Sequence, residues 1–239
     1  MRLNAPRVPD PADAPALRWG ILGPGWIADE LTTSLRHTKQ EVVAVGSRSS
    51  ERASAFAARH GIDPAHAHGS YEALVADDLV DVVYVATPHS EHHEHALLAI
   101  AAGRHVLVEK AFTATAAQAR AVVDAARAAD VFCMEAMWTR FLPHIDVLRQ
   151  VLDAGMLGEV STVLADHSIQ LWPDGPERLA DPDLAGGAML DLGIYPLSFA
   201  SLCLGGVTSA AGLGSLTDRG VDRRVAFVVQ GPSGAVASC

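Results

Sequence analysis

Short apolar runs in the first half of the chain alternate with alanine-rich stretches, and no other feature restricts the fold as much. Runs at Leu17–Leu22, Glu41–Gly46, Val80–Ala86, His105–Glu109 and Val131–Glu135 predict strands. Between them the sequence predicts a helix from about Trp26, a helix over Ser50–His60 closed by Gly61, another over Glu91–Ala102 closed by Gly103, and a long one over Thr115–Ala129. Strands alternating with helices imply a doubly wound α/β fold with a parallel sheet. Apolar runs without polar alternation fit strands covered on both faces.

After about Ala136 the pattern changes. A helix is expected over Pro143–Ala154, a β-like run over Glu159–Ile169, a helix over about Ala188–Leu204, and β-like runs over Arg224–Gln230 and Ala235–Cys239. Helices and longer strands together suggest an α+β domain. A chain of 239 residues suits one or two domains. The expected division is a loose tail over 1–16, a dinucleotide-binding domain over 17–138, and a partial substrate or dimerisation domain over 139–239. No charged residue occurs from Leu192 to Thr217. The prolines and glycines within that stretch favour a buried helix followed by a loop over a membrane span.

Between the first strand and the first helix lies Gly23-Pro-Gly25-Trp26-Ile27-Ala28, a G-x-G-x-x-A pattern. The first glycine permits a tight turn, and the second lets the backbone approach a pyrophosphate at the helix N-terminus. The second strand ends in Ser47-Arg48-Ser49, without the carboxylate that holds the ribose of NAD. Arg48 suits a 2′-phosphate, with a serine hydroxyl beside it. NADP is therefore the expected cofactor, with NAD still open.

Thr87-Pro88, His92, and then Ala102-Gly103-Arg104-His105 through Glu109-Lys110 resemble the fingerprint of the glucose–fructose oxidoreductase/inositol dehydrogenase/MocA family. The segments Glu135–Pro143 and Gly186–Leu197 are similar to a narrower branch that contains dihydrodiol and NADP-dependent D-xylose dehydrogenases. The resemblance implies a Rossmann domain followed by a domain with a large open, predominantly antiparallel sheet. It also places Thr87, Pro88, His89, His92, Glu109 and Lys110 beside the cofactor, together with Gly23, Gly25, Trp26, Ile27, Ser47 and Arg48. Two departures stand out. Ala111 replaces the family's proline, so Lys110 is expected to sit differently if relatives use a cis bend there. The chain also stops where relatives continue, which suggests a fragment or a sheet with an exposed edge.

The chain has 16 Arg and two Lys, Lys39 and Lys110, so a lysine at the end of the HVLVE strand is informative. A lysine can be tuned to release its proton, whereas an arginine cannot. Asp191 and Tyr195 lie four apart in a predicted helix and so share a face. With the resemblance, Lys110, Asp191 and Tyr195 form the expected catalytic set. Tyr195 would be the base, Lys110 the positive charge beside it, and Asp191 would orient substrate or Lys110. Trp138 and Arg140 would either line a substrate pocket or anchor domain packing.

A net charge of -10 argues against a nucleic-acid surface. Cys133, Cys203 and Cys239 are too sparse for a disulfide framework and fit a reducing cytoplasm. The run His89, His92, His93, His95 is interleaved with Glu91 and Glu94, and no metal is expected on it. The expectation is an oxidoreductase that oxidises a hydroxyl of an aldose or a trans-dihydrodiol. The partners expected are a small-molecule substrate and a second copy bound through a completed C-terminal sheet. An NAD-dependent inositol-like polyol dehydrogenase and a non-catalytic dinucleotide-binding protein are the rivals.

Overall fold

Adjacent residues of the early strands enter different cores. In β1 (Arg18–Leu22) and β2 (Glu41–Gly46), Ile21 and Val45 pack with Phe56 on one face, while Leu22 and Ala44 pack with Leu74 and Ile100 on the other. Side chains alternate across a strand, so two cores require cover on both faces of one sheet. The computed structural model describes residues 3–171 and 174–239. Met1 and Arg2 of the expected tail, and Trp172 and Pro173, lie outside them. The chain forms two units. One is Pro9–Ala136; the other is Met137–Cys239 together with the residues up to Val8.

In the first unit β1 and β2 are joined by β3 (Ala67–His68), β4 (Val82–Val85), β5 (His105–Val108) and β6 (Cys133–Glu135). The sheet runs β3-β2-β1-β4-β5-β6, with every pair parallel. Strand order reverses between β1 and β4, the crevice where such sheets bind ligands. The connecting helices are α1 (Trp26–Leu35), α2 (Ser50–His60), α3 (Tyr71–Val75), α4 (His92–Ala101) and α5 (Ala116–Ala128). Ser49, Ser70 and Thr115 cap α2, α3 and α5 by accepting backbone N–H bonds. The Lys110–Ala111 peptide is cis, so the bend is kept without proline.

The second unit contains α6 (Pro143–Asp153), β7 (Thr162–Leu164), α7 (Ile194–Leu204), β8 (Ser209–Leu216), β9 (Asp222–Gln230) and β10 (Val236–Ser238). Its sheet runs β7-β10-β9-β8, parallel only between β7 and β10. Val163, Ala200, Leu204, Val229 and Ala237 form its core. Arg7 donates from its backbone and its guanidinium to Asp146 on α6, and Gln150 donates to the Ala5 carbonyl.

Three expectations for this unit need correction. The run Glu159–Ile169 pairs only over Thr162–Leu164, because the exposed polar residues Asp166–Ser168 have no core to face. Ser209–Leu216, read as loop, is a strand in a hairpin with β9; its alanines and glycines carry no β signature. The helix expected from Ala188 begins as a π-helical turn, Met189–Gly193, and becomes α-helical at Ile194. By length and hydropathy Pro182–Leu204 would pass as a membrane span, yet Ala200 and Leu204 belong to the core just described.

Candidate functional site

The loop after β1 is built for close approach. Gly23 has φ +96°, and a Cβ there would meet Thr87 Cγ2 at 2.9 Å, so both the turn and the contact with the β4 loop require glycine. Gly25 is different. Its backbone is extended, and a Cβ would meet nothing within 4 Å. The fold therefore leaves open space at Gly25, directly before α1, whose first turn has no side-chain cap. A pyrophosphate fits that space, the uncapped N–H groups and the helix dipole. Trp26 is exposed and Ile27 half-buried at the start of α1.

At the end of β2, Ser47 is buried and its hydroxyl accepts the Ser49 N–H at 3.2 Å. Arg48 is exposed and makes no ion pair among the described residues. It stands near Tyr71, whose phenol burial pushes up while Arg48 draws it down. A cation without a carboxylate partner at this position fits a 2′-phosphate.

The loops after β4 and β5 are tied together by His92. It is 1% exposed, and its Nδ1 and Nε2 lie 2.7 Å from the Ala111 carbonyl and 2.9 Å from the Thr87 carbonyl. Burial drives its pKa down to about 4, against the two carbonyls that favour the charged form. His92 is thus a brace inside the fold: the neutral ring has one N–H, so it donates to one of the two carbonyls, faces the other with its second nitrogen, and presents no nitrogen to a ligand. His89 is buried against it, ring centroids 5.6 Å apart. Thr87 Oγ1 lies 3.0 Å from His95 Nδ1, and Pro88 opens the one-turn 3-10 helix His89–Glu91. Glu109 accepts from the Tyr84 hydroxyl and from the Lys110 N–H. Burial raises the Glu109 carboxyl, and Tyr84 offsets that by hydrogen bonding. Glu135 accepts the Phe112 N–H at 2.8 Å, which fixes the chain just past Lys110.

In the second unit Asp191 lies inside the π-turn, 7% exposed, with Arg178 Nη2 3.5 Å from its Oδ1. Asp191 borders a cavity of about 630 Å³, also lined by His167, Arg219, Asp222, Arg224 and Phe227. Among the described residues, Tyr195, Trp138 and Arg140 do not line it. Tyr195 sits in the first turn of α7. Its oxygen accepts from Trp138 Nε1 at 3.1 Å, and its ring meets those of Trp138 and His167 edge-on. Arg140 Nε donates to Ser198 on α7, within the same unit, at 2.9 Å. Tyr84, Glu135, Arg178 and His167 went unnoticed in the sequence. Tyr84, one residue before Val85 in an apolar run, carries a phenol that a buried strand must pair, and that signal was available.

Residues 17–137 match the family model described as "Oxidoreductase family, NAD-binding Rossmann fold". Residues 145–239 match the GFO/IDH/MocA C-terminal domain. The chain is 45% identical over 202 residues to the D-xylose 1-dehydrogenase (NADP(+)) of Hypocrea jecorina, covering 77% of this chain and 52% of that protein. It is 41% identical over 228 residues to the trans-1,2-dihydrobenzene-1,2-diol dehydrogenase of Bos taurus, covering 93% and 67%. The chain therefore spans about half of the first relative and two-thirds of the second. The crystal structure of an aldose–aldose oxidoreductase from Caulobacter crescentus, complexed with glycerol, superposes with a TM-score of 0.85 at 30% identity, covering 94% of this chain and 70% of that one.

Proposed function

Because the chain belongs to the GFO/IDH/MocA oxidoreductase family, we propose that it is an NADP-preferring dehydrogenase that oxidises a hydroxyl of an aldose or a cyclic trans-diol. The observation that carries the reading is the open space at Gly25 before an uncapped helix, with Arg48 on the neighbouring strand end. The relatives named for D-xylose and for dihydrobenzenediol support this substrate class. The nicotinamide cofactor, when bound, supplies the two-electron acceptor.

This chain's residues do the rest. Gly23 makes the tight turn and Gly25 lets the backbone come close to the phosphates, and Arg48 with Ser47 would meet the 2′-phosphate. Tyr195 takes the proton from the substrate hydroxyl and is neutral once it has it; before that step the indole N–H of Trp138, which donates to the Tyr195 oxygen, supports the negative charge there. Lys110 supplies positive charge, held by Glu109 through its own amide. Asp191, kept in place by Arg178, orients the substrate. Three free cysteines accord with a cytoplasmic setting. The exposed strand β8 accords with self-association through the C-terminal sheet.

The test is a screen of aldoses, polyols and trans-dihydrodiols for NADPH formation. NADP-dependent turnover of an aldose or diol is expected. Turnover of inositol-like polyols with NAD alone, or tight cofactor binding with no turnover of any of them, would overturn the reading.

A further inference from the structure

The histidine run at 89–95 draws the eye in the sequence, yet a different set of side chains converges on one point. His66 ends a one-turn 3-10 helix, His68 ends β3 at the outer edge of the parallel sheet, and Asp77 lies just beyond α3. His66 Nδ1 and His68 Nε2 approach the same oxygen, Asp77 Oδ2, at 2.6 and 2.8 Å. The three ligand atoms all lie within 4.8 Å of one another. The other oxygen, Oδ1, accepts the Leu79 N–H at 3.0 Å, which fixes the plane of the carboxylate.

A brace between two loops needs one imidazole on one oxygen. Here two imidazoles share one acceptor oxygen, which places two nitrogens and an oxygen around a common centre. That donor set, two neutral imidazoles and one carboxylate, suits zinc and its borderline neighbours over calcium or magnesium. Zinc–ligand bonds near 2 Å in tetrahedral array put ligand atoms about 3.3 Å apart, so each nitrogen would move roughly half an ångström farther from Asp77 Oδ2 to admit an ion. The Asp77 side chain is 6% exposed, while those of His66 and His68 are 27% and 19% exposed. The carboxylate is therefore held in the fold, and the imidazole side stays open for a water as fourth ligand. His66 Nε2 and His68 Nδ1 make no hydrogen bond among the described residues, so each ring can move its proton outward and offer a lone pair inward.

We propose that His66, His68 and Asp77 form a divalent-metal site of the zinc type, with the Leu79 N–H orienting the carboxylate. The ion would link strand β3 to the segment after α3 and hold the outer edge of the sheet. None of its ligands belongs to the cofactor loop or to the proposed catalytic set.

Titration calorimetry of the full chain with Zn²⁺, and absorption spectra with Co²⁺ as a second probe, test the site. One ion should bind with high affinity, and Co²⁺ should give the intense visible bands of tetrahedral coordination. His66→Gln, at the most exposed ligand, should weaken binding by at least about tenfold, and His66→Gln with His68→Gln should abolish it. NADP binding, measured on the same samples, should be unchanged and reports that the variants are folded. No binding by the unaltered chain would overturn the proposal. So would equal affinity in a folded His66→Gln variant, which would place the ion on other histidines.

Discussion

The Tyr84 hydroxyl donates to the Glu109 carboxylate, the same group that receives the amide N–H of Lys110. A buried phenol on the middle of the sheet thus sets the residue ahead of the proposed catalytic lysine. Tyr84→Phe leaves one Glu109 oxygen buried without its donor. The expected cost is about 1–3 kcal/mol in urea unfolding. An unchanged midpoint would mean that the carboxylate finds water instead.

Among the described residues Arg48 makes no ion pair, so its charge is available to a ligand. Arg48→Ala should weaken NADP by roughly 1.5–3 kcal/mol and NAD far less, read by calorimetry with each cofactor. Equal losses for both cofactors would point to damage of the β2 end and away from 2′-phosphate recognition.

Lys110→Met keeps length and removes charge. Turnover should fall by about 10²-fold or more with NADP binding nearly intact, and Tyr195→Phe should do the same. Residues acting as a unit are non-additive, so the double variant should be little worse than the poorer single one. Additive losses in the double variant would separate the two roles.

His92 gives the fold a pH dependence. Its folded pKa is about 4 against an ordinary 6.5, so the unfolded chain takes up the proton first as pH falls. The stability contribution is full above 6.5 and declines as pH drops toward 4, by up to about 3 kcal/mol. His92→Gln should be less stable at pH 7 but flatter across this window. Parallel stability–pH curves for the two proteins would show that another group carries the slope.

The parallel sheet was legible because β1, β2, β4 and β5 are buried on both faces and so read as unbroken apolar runs. The glycine loop was legible because Gly23 is demanded by a positive φ and a 2.9 Å contact. What stayed hidden has physical reasons. β3 has two residues and α3 five, too short for any periodic signal. β8 is built of small residues with every position exposed, so neither burial nor β-branching marks it. The π-turn around Asp191 leaves no trace in spacing. His167 against Tyr195 and Arg178 near Asp191 are contacts between segments whose sequence separation carries no pattern. His92 was picked out by resemblance as a neighbour of the cofactor, yet its role depends on carbonyls 5 and 19 positions away.

That brace grips main chain only. The oxygens that His92 holds belong to the peptide groups of Thr87 and Ala111, and every amino acid supplies the same oxygen. What the histidine meets at both positions is therefore independent of the side chain there, whereas the interaction depends on the ring itself. Position 111 carries alanine, and its carbonyl lies 2.7 Å from His92 Nδ1. Substitution at 111 thus keeps the oxygen that His92 faces, whereas substitution at 92 removes the group that meets it.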